Sequence, residues 1–386
     1  MARGSLSRLA VAVAVALAAA LPFAGCGSRD EAAPSADDAG AEAAAPSEAA
    51  PGDVVAPRGC EADRGPDGMW QHLSCAGLYA DFATKRLDAA LRAYKPALEL
   101  WSDGAEKQRF VFLPPGTTID TSDMDEWVFP VGTRVWKEFK VDQKRVETRL
   151  YEKAPSGSWL HASFRWAADE SDAVRVDDGA TIPRGGPDVP PYEIPTANQC
   201  NDCHGGRKDR VLGFEAVSLG LPGAEGLTLA ALVAEGRLSA PPATTALAFP
   251  EDGSGAAAAA LGWMHVNCGP CHNRSSKASG ENSRVYTLAR ASQLDPDAGV
   301  PVPSLDAYAS TVGRASTFEI PDGGGATFSI IKPGDPSASV VSYLSGRRVG
   351  PMGKPNPKEQ MPPIVTRLVD TKGHALLDTW ISALPP

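Results

Sequence analysis

Two copies of a Cys-x-x-Cys-His motif are the part of the sequence best suited to chemistry. They are Cys200-Asn201-Asp202-Cys203-His204 and Cys268-Gly269-Pro270-Cys271-His272. Thiols one helical turn apart match the spacing of the two vinyl groups of a haem, and the histidine that follows then points at the iron. The motifs therefore predict two covalently bound haem c groups, attached through the four cysteines, with His204 and His272 as iron ligands.

Three other interpretations of the cysteine pairs explain fewer residues. Structural zinc sites use pairs that are much closer together than the 68 residues between these two. Two CxxC disulfides would be strained and would leave both histidines without a role. Cys268-Gly269-Pro270-Cys271 is also the dithiol tetrapeptide of thioredoxin, but an alanine-rich helical pattern precedes it where thioredoxin has a strand, and Asn267 stands where Trp is usual.

The second haem has a candidate for its other axial ligand. A methionine thioether is the usual partner of histidine on the iron of electron-transfer cytochromes. Met361 precedes two prolines in a loop ahead of the last helical segment, so it is assigned to the iron at His272; Met352 is the nearest competitor. Arg347 and Arg348 are candidates for contacting haem propionates.

The first haem has no methionine in a comparable place, since none lies between His204 and Met264. His265, on the helix before Cys268, is the first candidate because it could reach across a shared interface. Met264 and His161 are the alternatives. An iron without a sixth ligand would bind a small ligand or peroxide.

The N-terminus has the pattern of a bacterial lipoprotein signal peptide over residues 1–25. Arg3 and Arg8 precede an apolar run at 9–21, which is shorter than the roughly 20 residues of a membrane span. Small residues before Cys26 predict lipidation of that cysteine, although Phe23 replaces the usual Leu. The chain is therefore expected to be exported to the periplasmic side of the cell envelope and anchored to a membrane.

A disordered tether is predicted next, because residues 26–58 are almost entirely Ala, Pro, Gly, Ser, Asp and Glu. Cys60 and Cys75 are then left over, and outside the cytosol a disulfide between them is expected. Without Arg3 and Arg8 the chain has 35 basic and 47 acidic residues. This acidity argues against nucleic acid as a partner and suits a basic protein.

The remainder is expected to be an α+β protein of several domains. Short segments rich in aromatic and branched residues predict an antiparallel, sandwich-like β domain over 59–195. These segments are 109–113, 134–141, 146–151 and 159–166. Alanine and leucine at helical spacing predict mainly α, cytochrome c-like haem domains after it, with a first haem region over 196–255 and a second domain over 256–386.

Several further segments of residues 95–386 resemble a family of predicted dihaem c-type cytochromes, which are often bacterial lipoproteins with no settled role. They are LWSDGAEK at 100–107, LPPG at 113–116, VETR at 146–149, NQCNDCH at 198–204, VNCGPCHN at 266–273, KPGDP at 332–336 and MPP at 361–363. The resemblance implies covalent haem binding and electron transfer, and it implies no substrate.

The expected function is that of an electron carrier whose haem irons alternate between the ferric and ferrous states and exchange electrons with a redox protein. The alternatives are a peroxidase-like haem enzyme with an open first haem and an electron-accepting subunit of a periplasmic oxidoreductase. No acid–base pair stands out in the β-rich region, so no small-molecule substrate is evident.

Overall fold

An antiparallel sheet of seven strands is the largest element of the structure, which is a computed structural model. In spatial order its strands are β11 (Glu225–Gly226), β3 (Arg92–Lys95), β4 (Glu106–Phe112), β5 (Arg134–Val141), β6 (Lys144–Lys153), β7 (Trp159–Trp166) and β8 (Ala173–Arg175). β5 and β7 have the bounds that the aromatic and branched residues predict. Such residues fit the pleated surface of a strand, and their alternation gives the sheet two distinct faces.

Two short hairpins lie beside this sheet. Strands β1 (Tyr79–Asp81) and β2 (Arg86–Leu87) form one, and β9 (Ala180–Ile182) and β10 (Tyr192–Ile194) form the other. A disulfide joins Cys60 to Cys75, which ties together the segment that precedes β1.

The helices are mostly short. They are α1 (Ala197–His204), α2 (Ala216–Gly220), α3 (Leu229–Ala234), α4 (Ala257–Asn267), α5 (Asp306–Thr311), α6 (Val340–Ser345) and α7 (Thr371–Ala383). Single 3₁₀ turns occur at Leu73–Cys75, Ala291–Gln293, Pro296–Ala298, Val302–Ser304 and Pro336–Ala338. Only α4 and α7 exceed eight residues, and they pack together through Leu261, Met264, Leu377 and Trp380.

The two faces of the sheet are covered by different parts of the chain. One face, with Trp136, Leu150 and Phe164 at its centre, packs on the disulfide-linked segment before β3. The opposite face carries Val111 and Val135 at one end, and these pack on the apolar residues of α2 and α3. Farther along that second face, Arg109, Lys137 and Arg149 lie among other residues that include Phe139 and Tyr151.

The structure describes residues 59–186, 189–275, 284–318, 328–348 and 360–386, and these belong to one compact unit. The predicted signal peptide, the tether, Cys26 and Met352 lie outside the described residues. Within them, no helix has the length and apolar character needed to cross a membrane.

The predicted fold class is wrong. The described residues contain one large antiparallel sheet and few helices, at 24 % helix and 22 % strand, and they do not form the predicted mainly α, cytochrome c-like domains. The predicted first haem region at 196–255 supplies β11 to the sheet and packs its apolar residues against it. Helical spacing of leucine and alanine was misleading there because segments of five or six residues bury their apolar side chains on a sheet as well as on another helix.

Candidate haem-attachment site

The first motif lies on α1, and its neighbours explain why the helix forms there. Thr196 caps the N-terminus: its hydroxyl accepts a hydrogen bond from the Gln199 backbone N–H at 3.2 Å, and the Gln199 side chain accepts one from the Thr196 N–H at 2.9 Å. This reciprocal pair satisfies two N–H groups that the first turn leaves without helical partners. Cys200, Cys203 and His204 therefore lie together on one ordered helix.

His204 is oriented as a metal-binding histidine normally is. Its Nδ1 lies 2.6 Å from the carbonyl oxygen of Arg210. Because a carbonyl only accepts, Nδ1 carries the proton and the lone pair is on Nε2. Burial lowers the pKa of His204 to about 3, so the ring is neutral at physiological pH. Metal-ligating histidines use this same arrangement to hold the tautomer and the ring plane.

The carbonyl group that accepts this bond is positioned by the sheet. Arg210 has a left-handed backbone, with φ of +61°, and follows a buried aspartate, Asp209. The Asp209 carboxylate accepts bonds from Lys153 Nζ at 2.7 and 2.9 Å, Trp159 Nε1 at 2.7 Å and the Phe129 backbone N–H at 2.6 Å. These contacts anchor the segment after the first motif to β6 and β7.

Tyr151, on β6, completes the surroundings of the first motif. Its ring stacks on His204, with centroids 4.4 Å apart and planes at 19°, and on its other side it stacks on His161 at 5.2 Å. Asp209 and Tyr151 were not predicted as site residues. The sequence signal for Tyr151 was the alternation of residue types along β6, whereas Asp209 follows α1 outside any strand and had no such signal.

The second motif follows α4 directly and contacts the first. The thiols of Cys203 and Cys271 lie within hydrogen-bonding reach of one another, and this contact, together with burial, raises the pKa of Cys203. Cys271 Sγ also lies 3.6 Å from the carbonyl oxygen of Asp202. Gly206 packs so closely on Pro270 that an added Cβ would lie 2.3 Å from its carbonyl oxygen. Motifs 68 residues apart are thus neighbours.

His265 has both ring nitrogens engaged. Nδ1 accepts a hydrogen bond from the Ala289 backbone N–H at 3.0 Å, and Nε2 lies 3.6 Å from a carboxylate oxygen of Glu215. A neutral imidazole that accepts at Nδ1 carries its proton on Nε2. In this arrangement His265 therefore has no lone pair to offer an iron.

The two other candidates for the first haem are also engaged. Met264 is fully buried in the core between α4 and α7. The Nε2 atom of His161 lies 3.2 Å from the carbonyl oxygen of Ala197, while its ring stacks on Tyr151. Each would have to leave its present partners to reach the iron.

Met361 lies in a loop that ends at α7, as its sequence position predicts. Its side chain packs on a small apolar cluster that includes Phe328, Val340 and Leu344. The Arg348 guanidinium donates to the Met361 carbonyl oxygen at 3.3 Å, and Arg347 lies over the ring of Tyr343. Neither arginine lines the two narrow cavities that open beside the first motif.

The Trp101-Ser102-Asp103 segment fastens the Met361 loop to the second motif. The Asp103 carboxylate accepts bonds from the backbone N–H groups of Arg367 and Leu368 at 2.8 to 3.0 Å. The Trp101 indole donates to the Leu368 carbonyl at 2.9 Å, and its backbone N–H donates to the side chain of Asn267, next to Cys268, at 2.8 Å. This segment, which belongs to the LWSDGAEK stretch at 100–107, thus has a structural role.

Two narrow crevices open beside the motifs. The His204 crevice is lined by Tyr94, Val135, Lys137, Arg149, Tyr151, His204, Val211 and Leu212. The Glu215 crevice includes Arg109, Lys137, Arg207, Val211, Leu212, Glu215, His265 and Pro270 in its lining. The crevices share Lys137, and the second reaches Pro270 within the second motif.

The donor set at the first motif fits a covalently bound haem: two thiols stand one turn apart, and a neutral imidazole has its lone pair on Nε2. Within the described part of the chain, no three His, Cys, Asp or Glu side chains converge to hold a metal ion by themselves. No protein-family model, curated protein or solved structure matches this chain. The resemblance to dihaem cytochromes therefore stays a prediction.

Acid should weaken the fold through Glu215. Burial disfavours its charge, but the hydrogen bond from His265, together with Arg207 and Ser218, lowers the pKa of Glu215 from 4.5 to about 2. A depressed carboxyl pKa stabilises the folded state above pH 4.5 and loses that contribution as the pH falls towards 2, in total about 3 kcal/mol. Urea unfolding between pH 7 and pH 3 measures the loss.

The matched variants for this prediction are Glu215→Gln and Glu225→Gln. Glu215→Gln should lower the unfolding free energy at pH 7 and flatten its pH dependence. Glu225 is an exposed partner of Lys95, so its replacement should change stability by less than about 1 kcal/mol. Equal pH slopes for wild type and Glu215→Gln would contradict the assignment.

Proposed function

We propose that this chain is an exported electron-transfer protein that carries two haem c groups. The contact between Cys203 and Cys271 is the observation that carries the proposal. Thiols that each bind a vinyl group and also touch one another place the edges of two haems side by side, and close haems exchange electrons readily. A fold that serves a single haem has no need to bring a second Cys-x-x-Cys-His motif into contact with the first.

The roles proposed for the side chains follow from the site. The four motif cysteines attach the groups, His204 and His272 bind the irons, and Met361 supplies the sixth ligand at the second motif. The haem irons, when bound, alternate between the ferric and ferrous states. The Arg210 carbonyl holds the proton on Nδ1 of His204 and so keeps Nε2 directed at a metal. His265 is assigned to Glu215 rather than to an iron.

Attachment of a haem requires part of the site to open. The Glu215 crevice has a volume of about 40 Å³ and the His204 crevice one of about 30 Å³. Pockets that bind small molecules and cofactors have roughly 300–1,000 Å³. Val211 and Leu212 line both crevices, so the proposal includes an outward movement of the segment that carries them. Asp209 directly precedes this segment, and its bonds to Lys153 on β6 and Trp159 on β7 hold that end of the segment on the sheet.

The proposed location and partner follow from the sequence. Export directed by residues 1–25 brings the motifs to the compartment where haem is attached, and a lipid on Cys26 holds the protein at a membrane. The surface charge, with 47 acidic residues against 37 basic ones, suits a basic redox protein as the electron-exchange partner.

Haem stoichiometry tests the proposed function. The protein, produced with its signal peptide in a host with haem-attachment machinery, should contain two haems per chain in a pyridine haemochrome assay. Cys200→Ser/Cys203→Ser and Cys268→Ser/Cys271→Ser should each leave one haem, because each removes both thioether bonds of one group. The control, Cys60→Ser/Cys75→Ser, should keep two. A wild-type stoichiometry near zero would refute the proposal.

A further inference from the structure

Three cations face one another across the centre of the sheet. In the register of β4, β5 and β6, Arg109 is directly opposite Lys137, and Lys137 is directly opposite Arg149. Directly opposed residues point to the same side of a sheet, and like charges in such pairs destabilise it. We call these three residues the cation row.

The carboxylates nearby do not balance this charge. Glu99 lies 3.0 Å from Arg109 and 3.6 Å from Lys107, and Glu147 makes a two-pronged contact with Arg149 at 2.6 and 2.9 Å. With Lys107 included, two carboxylates thus serve four cations. The cationic side chains thus outnumber the carboxylates by two in a part of the protein that is mostly shielded from water.

The cation row contains one donor atom without an acceptor and one ammonium group without a carboxylate partner. That ammonium group, on Lys137, lies 5.8 Å from the centre of the Phe139 ring. Nη1 of Arg109 is buried, and no hydrogen-bond acceptor reaches it among the residues that the structure describes. Lys137 has no carboxylate within ion-pair distance in the same part of the chain. Burial and the three neighbouring cations hold the pKa of Lys137 well below its ordinary value. Buried donors without acceptors are costly, so a ligand that supplies acceptors would be stabilising here.

We propose that the cation row binds the propionate carboxylates of the haem attached at Cys200 and Cys203. This inference rests on the proposed function and adds to it the polar half of the haem site. A haem has two propionates, and two is the number by which cationic side chains exceed carboxylates here. Lys137 and Arg149 line the His204 crevice beside the proposed iron ligand, and Arg109 lines the adjoining crevice. Arginine and lysine recognise carboxylates through charge-assisted hydrogen bonds.

Arg347 and Arg348, the candidates for propionate contacts in the sequence, do not line the proposed site of the first haem. Those two arginines contact the ring of Tyr343 and the carbonyl of Met361, and they lie in neither crevice. A free carboxylate or phosphate ion has the same chemistry as a propionate, so the test must distinguish a bound anion from the haem's own carboxylates.

The test is the reduction potential of the holoprotein with Lys137→Gln. A cation beside the haem favours the ferrous state, so its loss should lower one of the two midpoint potentials. The expected fall corresponds to about a tenfold change in the ferric-to-ferrous ratio, which is 59 mV for one electron. Lys137→Met is a second neutral variant in case the first does not fold, and Lys137→Arg should keep the wild-type potential.

Lys144→Gln is the matched control, since it removes the same charge from an exposed position on β6. Its potentials should equal those of the wild type, and an equal fall in this variant would overturn the inference. Unchanged potentials in both neutral Lys137 variants, with two haems still bound, would also overturn it. A wild-type potential that shifts on addition of inorganic phosphate, only while Lys137 is present, would identify a free-anion site instead. Absence of haem would refute the proposed function itself.

Discussion

Asp209→Ala is expected to lower the free energy of unfolding by about 3–5 kcal/mol, because it removes one partner from a buried ion pair. Lys153 and Asp209 are both almost fully buried, and their closest atoms are 2.7 Å apart. The substitution would leave the Lys153 ammonium without its carboxylate and the Trp159 indole without its acceptor. Urea unfolding of the wild-type and variant proteins at pH 7 measures the difference.

Two further variants test this explanation: one separates the charge of Asp209 from its hydrogen bonds, and the other is an exposed control. Asp209→Asn keeps one acceptor oxygen but loses the charge, so its stability should lie between those of the wild type and Asp209→Ala. Asp177→Ala removes an exposed partner of Arg175 and should cost less than about 1 kcal/mol. A loss at Asp209 no larger than the loss at Asp177 would show that the carboxylate does not anchor the segment after the first motif.

Asp103→Ala is expected to release the loop that carries Met361. The change leaves the backbone N–H groups of Arg367 and Leu368 without an acceptor, at about 1–2 kcal/mol each. Ala also tolerates the left-handed backbone of this position, with φ of +53°, less well than Asp does. We therefore expect a stability loss of about 2–4 kcal/mol together with a loosened methionine loop.

The spectrum of the second haem reports whether the loop has moved. If Met361 is its sixth ligand, Asp103→Ala should convert part of that haem from a low-spin to a high-spin spectrum, and its reduction potential should fall because a methionine ligand raises it. Asp103→Asn keeps an acceptor oxygen and relieves the burial penalty that raises the pKa of Asp103, so it should stay close to the wild type. If Asp103→Ala is destabilised but its haem spectra are unchanged, the contacts of Asp103 stabilise the fold without holding Met361 on an iron.

Local features of the sequence predicted the local features of the structure. Strands β5 and β7 have the predicted bounds because alternating apolar side chains suit a sheet with one covered face. Helix α3 starts after Thr228, whose hydroxyl accepts a hydrogen bond from the Ala231 N–H, which is the usual contact of a threonine at this position. Signals of this kind depend only on residues within one or two turns of each other.

Such short-range signals could not predict the overall fold. Residues 196–255 have helical spacing, yet their helices are too short to build a domain and instead cover the large sheet. The position of a short apolar helix is decided by whichever surface it covers, and that surface comes from residues far away in the chain. The predicted cytochrome c-like domains were wrong for this reason.

The sequence by itself predicted the two candidate haem-attachment motifs, because a Cys-x-x-Cys-His motif places its thiols and imidazole close together on one stretch of helix. It also indicated the position of Met361 before the last helix. Only the tertiary structure brought Cys203 to Cys271, Asp209 to Lys153 and Asp103 to Leu368. Strand register likewise aligned Arg109, Lys137 and Arg149, which are separated in the chain by 28 and 12 residues. Such contacts depend on how strands and loops pair over long separations, and no short-range pattern of residue types encodes that pairing.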